Sequence, residues 1–420
     1  MKILFVHQNM PGQYKHLAPA LAGEEGNQVA FITREGKPDI EGVTKMVYTL
    51  TREVTPNIHQ YLARLEDQVL HGQGAARAAL DLLRRGFVPD VICAHTGWGE
   101  ALFLRDVFPG ARILAFSEFY YSAKGSDIDF APDQVQNLDR DCRTRMRNTH
   151  MLMSLEASDW GISPTWWQWS RHPEMVRNKI SVIHDGVDTE LCQADPKAVL
   201  ELPNGEKLTS DDEVVTYIAR NMEPYRGFDI FMQAIGPILE NRPNARVVLV
   251  GGDDISYGNG PPDGGKWREY MFSRVQFDPR RVHFLGRVPY SIFRSVLSIS
   301  RVHVYLTYPF VLSWWMLEAM SHECLLIASR TAPVTEVIRD GINGRLVDFF
   351  KPEQVIGAVV AALKEPAATI PMRKAARRTI LTEYDLRRVC LPAQLELVRT
   401  LAENRLPPPT EDRWSGKRDS

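Results

Sequence analysis

The sequence predicts two successive doubly wound α/β domains, each built on a mainly parallel sheet. Three observations carry that expectation. Short apolar runs of strand length recur along the chain and alternate with stretches of helical period. The rhythm breaks at a polar stretch, residues 194–212, which holds Pro196, Pro203, Asn204 and Gly205, and then restarts. The 420 residues also exceed what one ordinary core encloses and suit two domains of about 200 residues each.

The elements follow in order. Residues 2–6 form an apolar run of strand type, followed by the turn Met10-Pro11-Gly12-Gln13. Residues 14–22 carry apolar side chains at helical spacing, and residues 29–33 read as a second buried strand. Two more strands are expected at 89–95 and 112–117, and another at 180–183. In such sheets ligands bind beyond the carboxyl ends of the strands. The loops holding Gly12, His95 and Glu118 are therefore expected at one edge. After the polar stretch, read as a linker, strands are expected at 214–219, 245–251, 282–285, 302–306 and 324–328, with a helix over 228–239. Residues 392–402 form a last amphipathic helix, and the tail 407–420, with three consecutive prolines, is expected to be disordered. The predicted division is an N-terminal domain 1–193, a C-terminal domain 194–385, a helix 386–406 packing back on the first domain, and the tail. The two domains are expected to share a cleft.

Composition excludes several classes of function. Apolar residues at 44% and charged residues at 24% mark a globular chain. A net charge of -2 leaves no basic excess for a protein built around nucleic acid. The five cysteines, Cys93, Cys142, Cys192, Cys324 and Cys390, are odd in number and none pair as C-x-x-C, which argues against a disulfide framework or a zinc cluster. No apolar run approaches the ~18 residues of a membrane span. Residues 1–7 are too short and too soon polar for a signal peptide. A cytoplasmic protein is expected, with peripheral contact to a membrane surface left open.

The most informative stretch runs from Trp314 to Val347. Ser313 stands as an N-cap before a helix, whose first N–H groups and positive dipole end suit a diphosphate. Glu318 lies about one and a half turns inside, where a carboxylate can accept bonds from two vicinal ribose hydroxyls or serve as a satisfied core group. Leu-Glu-Ala-Met at 317–320, then Thr335-Glu336-Val337-Ile338 and Asp340-Gly341-Ile342-Asn343-Gly344, resemble the donor-binding region of glycosyltransferase family 4. Val182-Ile183-His184-Asp185-Gly186-Val187-Asp188-Thr189, the stretch from Tyr217 through Arg220 to Arg226-Gly227-Phe228, and Phe284-Leu285-Gly286-Arg287-Val288 resemble three further motifs of that family, in the right order. The strings from His7 to Leu17 and from Tyr308 to Trp314 are similar to a bacterial subgroup.

The resemblance implies a GT-B architecture, two Rossmann-like domains facing a cleft, and a retaining, metal-independent hexosyl transfer with no cofactor. It implies as partners a nucleoside-diphosphate sugar and a glycan, lipid-linked or small-molecule acceptor, with no nucleic acid, in cell-surface polysaccharide or glycoconjugate synthesis. Arg220 and Arg226 match the cations that hold the donor diphosphate, Arg226 in place of the usual lysine. Arg287, Val288, Val311, Leu312, Ser313, Trp314 and Glu318 fall on the donor side, and Gly12 in the loop closing over the phosphates. His95 resembles the histidine that contacts the sugar. Gln13, Tyr14, Glu118 and Tyr120 are acceptor-side candidates. Phe310 stands where the family usually carries a second glutamate, eight positions before Glu318, so the sugar contact departs from the pattern. A nucleotide-sugar epimerase and a non-catalytic sugar-nucleotide-binding subunit are the alternatives. Trp166, Trp167 and Trp169 read as packing of a helix over 165–171 or as a membrane-facing cluster. Arg140, Arg143, Arg145 and Arg147 read as a solvated helix face or a contact for a phosphate-bearing acceptor.

Overall fold

The computed structural model describes residues 1–135 and 137–414. The chain divides into two compact units, residues 1–186 with 387–420, and residues 187–386.

In the first unit seven parallel strands lie in the order β3-β2-β1-β4-β5-β6-β7. They are β1 (Lys2–Val6), β2 (Gln28–Arg34), β3 (Val43–Tyr48), β4 (Val91–His95), β5 (Arg112–Phe116), β6 (Trp160–Ser163) and β7 (Ile180–Val182). The central strands are apolar on both faces because both faces are covered. Ile3, Phe5 and Cys93 point into one core, Leu4, Val6 and Ile92 into the other. Strand order reverses between β1 and β4, which makes a topological switch point at their carboxyl ends. The helix Leu391–Ala402 buries Leu397, Val398 and Leu401 in the same core as Ile3 and Phe5, and so belongs to this unit.

In the second unit six parallel strands lie in the order β12-β11-β10-β13-β14-β15. They are β10 (Val214–Asn221), β11 (Arg246–Gly252), β12 (Val282–Phe284), β13 (Val302–Tyr305), β14 (Leu325–Ser329) and β15 (Arg345–Val347), preceded by a small antiparallel hairpin, β8 (Leu200–Glu201) with β9 (Lys207–Leu208). Here the order reverses between β10 and β13.

Four expectations are corrected. The expected helix over 14–22 is a 3-10 turn, Gly12–Tyr14, and a short helix, Leu17–Ala22. The polar stretch 194–212 is not a free linker. Leu200, Leu202 and Leu208 are buried in the core of the second unit, so apolar burial holds the hairpin there. The boundary falls after Gly186, not after residue 193, because Val187 is tied to the far end of its unit. Its N–H donates to the Tyr384 carbonyl at 2.8 Å, and its carbonyl accepts from Leu386 at 2.8 Å. In the tail, Thr410 N–H donates to the Asn178 carbonyl at 2.8 Å and the Trp414 ring lies 5.8 Å from Trp167, so residues 407–414 are placed against the first unit. The rest of the expected disordered tail, 415–420, lies outside the described residues.

Candidate functional site

Each unit gathers polar groups at its own switch point. In the first unit, His7 follows β1 and is buried. Its Nδ1 accepts the Asn9 N–H at 2.8 Å, which leaves the proton on Nε2. That Nε2 donates to Gln13 Oε1 at 2.7 Å, and Gln13 Nε2 donates to Glu118 Oε1 at 2.9 Å. His95, at the end of β4, is fixed in the same way. Its Nδ1 accepts the Gly97 N–H at 2.9 Å, and its Nε2 faces Glu118 Oε2 at 3.7 Å. The ring is stacked between Trp98, 4.3 Å away, and Phe116, 5.2 Å away. Burial holds His7 down to about 4 and His95 well below the usual imidazole range. Both rings are therefore neutral near pH 7, and the His95–Glu118 contact is that of a dipole with a carboxylate, not an ion pair. The Glu118 carbonyl is held by Gln168 Nε2 at 2.6 Å, and Gln168 is placed by Thr165, whose hydroxyl caps the Trp166–Arg171 helix.

Gly12 adopts φ +53, and a Cβ there would lie 2.5 Å from His7 Nε2. The turn needs glycine for its backbone and for the imidazole beside it. Gln13, Glu118 and His95 come together. Tyr14 does not join them. It is a core residue, 4% exposed, with its ring 4.9 Å from Phe5. Tyr120 stands two residues beyond Glu118, its ring 5.9 Å from His172. Trp167 and Trp169 are buried, and Trp169 Nε1 donates to the Arg177 carbonyl at 2.8 Å, so their role here is packing.

In the second unit, Arg220 is exposed at the end of β10. It lines a cavity of about 240 Å³ together with Arg287, Val288, Tyr290, Phe293 and Trp315. Trp315 lies in the first turn of the Trp314–Ser321 helix, so the cation and the helix start share one opening. Glu318 is buried in that helix. Its Oε1 accepts from the Tyr290 hydroxyl at 2.9 Å, with the Cys192 thiol at 3.8 Å. Arg287 donates to Asn221 Oδ1 at 3.0 Å and pairs with Asp254.

Arg226 differs from Arg220. It is buried, and its Nη1 donates to Thr307 Oγ1 at 2.6 Å and to the Val311 carbonyl at 3.2 Å. It braces the loop before the helix and does not stand open at the cavity. Gly227, at φ +69, lets this turn approach Leu306, where a Cβ would lie 2.4 Å from Leu306 Cβ. Leu312 is a core residue, and Ser313 makes no side-chain cap. The Ser313 N–H donates instead to the Tyr305 hydroxyl at 3.0 Å. Phe310 is buried among rings, 5.5 Å from Tyr225 and 5.2 Å from Tyr257.

Sequence reasoning missed His7, Trp98, Glu223 and Tyr290. Glu223 is fully buried and its Oε2 accepts the N–H groups of Ser256 and Tyr257 at 3.2 and 2.8 Å, pinning the loop that follows β11. Burial raises its pKa to about 7. His7 had a usable signal, since it sits at a strand's carboxyl end as His95 does. Among the described residues no group of three or more His, Cys, Asp or Glu side chains is placed to hold a metal ion.

Two family profiles match the chain. The profile described as glycosyl transferase family 4 group covers residues 25–192, and that of glycosyl transferases group 1 covers residues 212–365. Only residues 1–24, 193–211 and 366–420 lie outside them. The chain is a GT-B glycosyltransferase of the family 4 type. Solved structures with the same fold include sucrose-phosphate synthase from Thermosynechococcus elongatus, at 19% identity and TM-score 0.74 over 96% of this chain and 100% of that one. HepE of Anabaena, solved with UDP-glucose, matches at 14% identity and TM-score 0.64 over 96% and 99%. The catalytic domain of starch synthase IV from Arabidopsis thaliana, bound to ADP and acarbose, matches at 15% identity and TM-score 0.64 over 96% and 98%. No curated protein matches this glycosyltransferase by sequence. Among its described residues no single helix is long and apolar enough to cross a membrane.

Proposed function

We propose that this glycosyltransferase moves a hexose-type sugar from a nucleoside-diphosphate sugar to a glycan, lipid-linked or small-molecule acceptor, with retention and without a metal, at a cytoplasmic site of glycoconjugate synthesis. One observation carries the reading: an exposed guanidinium, Arg220, opens on the same cavity as the start of the Trp314–Ser321 helix. A diphosphate needs fixed positive charge where negative charge grows as the sugar–phosphate bond breaks, and a cation beside free helix N–H groups supplies it. Arg287 adds a second cation, and Val288, Tyr290 and Phe293 offer apolar and aromatic surface to a nucleobase. Glu318, with Tyr290, is the group for the ribose hydroxyls.

The reaction balances without a protein nucleophile. The acceptor oxygen bonds to the anomeric carbon on the face from which the β-phosphate oxygen departs. The acceptor proton passes to that departing phosphate. The second unit supplies the donor groups, and Glu118, oriented by Gln13 and His7, is the acceptor-side hydrogen-bond acceptor. Relatives solved with UDP-glucose and with ADP support a nucleotide donor.

The test is a melting-temperature screen against uridine, guanosine, thymidine and adenosine diphosphate sugars. Binding at about 100 times Kd stabilises by about 2.7 kcal/mol, so the preferred nucleotide is expected to stand out. No shift with any of the four would remove the donor assignment. Phe310 supports a second reading, a nucleotide-sugar-binding subunit without catalysis, because no carboxylate stands at its position. A clear shift together with no labelled product from any glycan or lipid extract would favour it.

A further inference from the structure

We infer that the groove beside the Leu138–Arg147 helix receives the acceptor, and that this acceptor is a long-chain amphiphile whose head carries a phosphate beside the hydroxyl that takes the sugar. The inference rests on the glycosyl-transfer reading and deepens it by naming the acceptor class.

The groove, about 1170 Å³, lies wholly in the first unit. One wall is the segment from Tyr120 to Lys124, which begins two residues after Glu118. The other is formed by Leu138, Arg145 and Met153 with their neighbours on the Leu138–Arg147 and Thr149–Ala157 helices. The walls are held together. The Asn148 side chain accepts the Tyr121 N–H at 2.9 Å and donates to the Tyr121 carbonyl at 2.7 Å. The Arg147 guanidinium lies 3.4 Å from the Tyr121 ring centroid and donates to its hydroxyl at 2.7 Å.

Two features of the lining have no use within the unit. Leu138 is 78% exposed and Met153 53% exposed, so the groove presents large apolar side chains to water. Lys124 and Arg145 are exposed, and among the described residues neither side chain makes an ion pair or hydrogen bond. The groove's one carboxylate, Asp141, has Arg140 at 3.9 Å, so the lining is net positive. A neutral glycan would leave the cations idle. Inorganic phosphate would leave Leu138 and Met153 bare. An alkyl chain ending in phosphate uses both, the chain covering apolar surface and the head meeting two cations.

Cys142 lines the groove and is the one cysteine that is not buried, so its alkylation by a maleimide reports occupancy without reference to catalysis. The probe is dodecyl phosphate below its micelle concentration, with dodecyl maltoside and inorganic phosphate as comparators. At about ten times its Kd, dodecyl phosphate is expected to slow Cys142 labelling about tenfold, with either comparator changing it by less than about twofold. In the double variant Lys124→Glu, Arg145→Glu the protection should vanish while the melting temperature holds, since both side chains are exposed. Absence of protection, equal protection by dodecyl maltoside or by inorganic phosphate, or protection that survives the charge reversal would each overturn the proposal. The nucleotide screen separates this failure from that of the reading beneath it. A protein that answers a nucleotide but leaves Cys142 unprotected keeps glycosyl transfer and loses this acceptor class. One that protects Cys142 but answers no nucleotide loses the acceptor role with the transferase.

Discussion

Where β10 ends, Arg220 stands exposed beside an open cavity. Where β1 and β4 end, His7 and His95 are buried, neutral and locked by backbone N–H groups. Both places are switch points of a parallel sheet, yet one is built from charge and the other from oriented dipoles. The difference follows the ligand each half is read to bind. A diphosphate repays a fixed guanidinium, whereas an uncharged hydroxyl is positioned better by a hydrogen-bond chain ending on one carboxylate.

The largest expected effect breaks the charged half. Arg220→Ala should lower kcat/KM by about 10²–10³, or about 3–4 kcal/mol, as loss of one group stabilising a developing anion does. Because the side chain is exposed, the melting temperature of the free protein should not move. Unchanged nucleoside diphosphate affinity, read by calorimetry, would take Arg220 out of the site.

The next effect contrasts the halves by acid. Burial depresses His7, His150, His172 and His184 in the first unit to about 4, and His95 further. The second unit has two comparable rings, His303 at about 3 and His322 at about 4. Unfolded, each binds a proton near 6.5, so between pH 6.5 and 4 the unfolded state holds more protons and stability falls as pH falls. Glu100 and Glu223, raised by burial to about 7, act oppositely, their stabilisation present at low pH and lost as pH rises through 7, one in each unit. From pH 7 to pH 5 the first unit, with three more such rings, should therefore lose more stability than the second. Hydrogen exchange resolved by peptide measures this, and equal loss in both halves would mean that the rings are not neutral in the folded state.

What the sequence showed of these halves differs as well. β1, β2, β4 and β5 in the first unit and β10, β11, β13 and β14 in the second were legible because their apolar runs are continuous, whereas the short interior strand β6 was not. β3 was missed as well, because exposed Thr44 and half-buried Lys45 interrupt its apolar run before buried Met46 and Tyr48, on a strand at the sheet edge. The exposed place of Arg220 at a strand end was legible because strand, cation and glycine turn are adjacent in the chain. The His7–Gln13–Glu118 chain was only half legible, since Gln13 and Glu118 lie 105 residues apart and only the parallel stacking of β1, β4 and β5 brings them into reach. Arg226 was read as a phosphate ligand from the family resemblance, and nothing in the sequence shows that Thr307 and Val311 already occupy its Nη1.

Glycines sharpen the comparison at a smaller scale. Gly12→Ala puts a Cβ against His7 at a left-handed backbone position and should cost about 2 kcal/mol of stability in the first unit. It should leave nucleotide affinity alone. Gly227→Ala meets Leu306 at a similar cost but shifts the Arg226 turn, and so should weaken nucleotide binding too. If both variants affected nucleotide binding alike, the division of labour between the units would fail.

The smallest effect tests whether Glu318 belongs to the charged half at all. Its carboxylate already accepts a bond from Tyr290, so the pair is either a satisfied core contact or a ribose grip with the phenol as its outer member. Tyr290→Phe separates the two. It removes a hydrogen bond to a charged acceptor, which is worth about 1.5 kcal/mol, while keeping the ring stacked 5.4 Å from Phe293. If Glu318 grips ribose, the free variant should melt lower but bind nucleoside diphosphate up to about tenfold more tightly, so that nucleotide closes the gap in melting temperature, because the ribose hydroxyls replace the lost donor. If the contact is only structural, the melting temperature should fall equally with and without nucleotide. That parallel fall would leave the donor assignment to Arg220, Arg287 and the helix start.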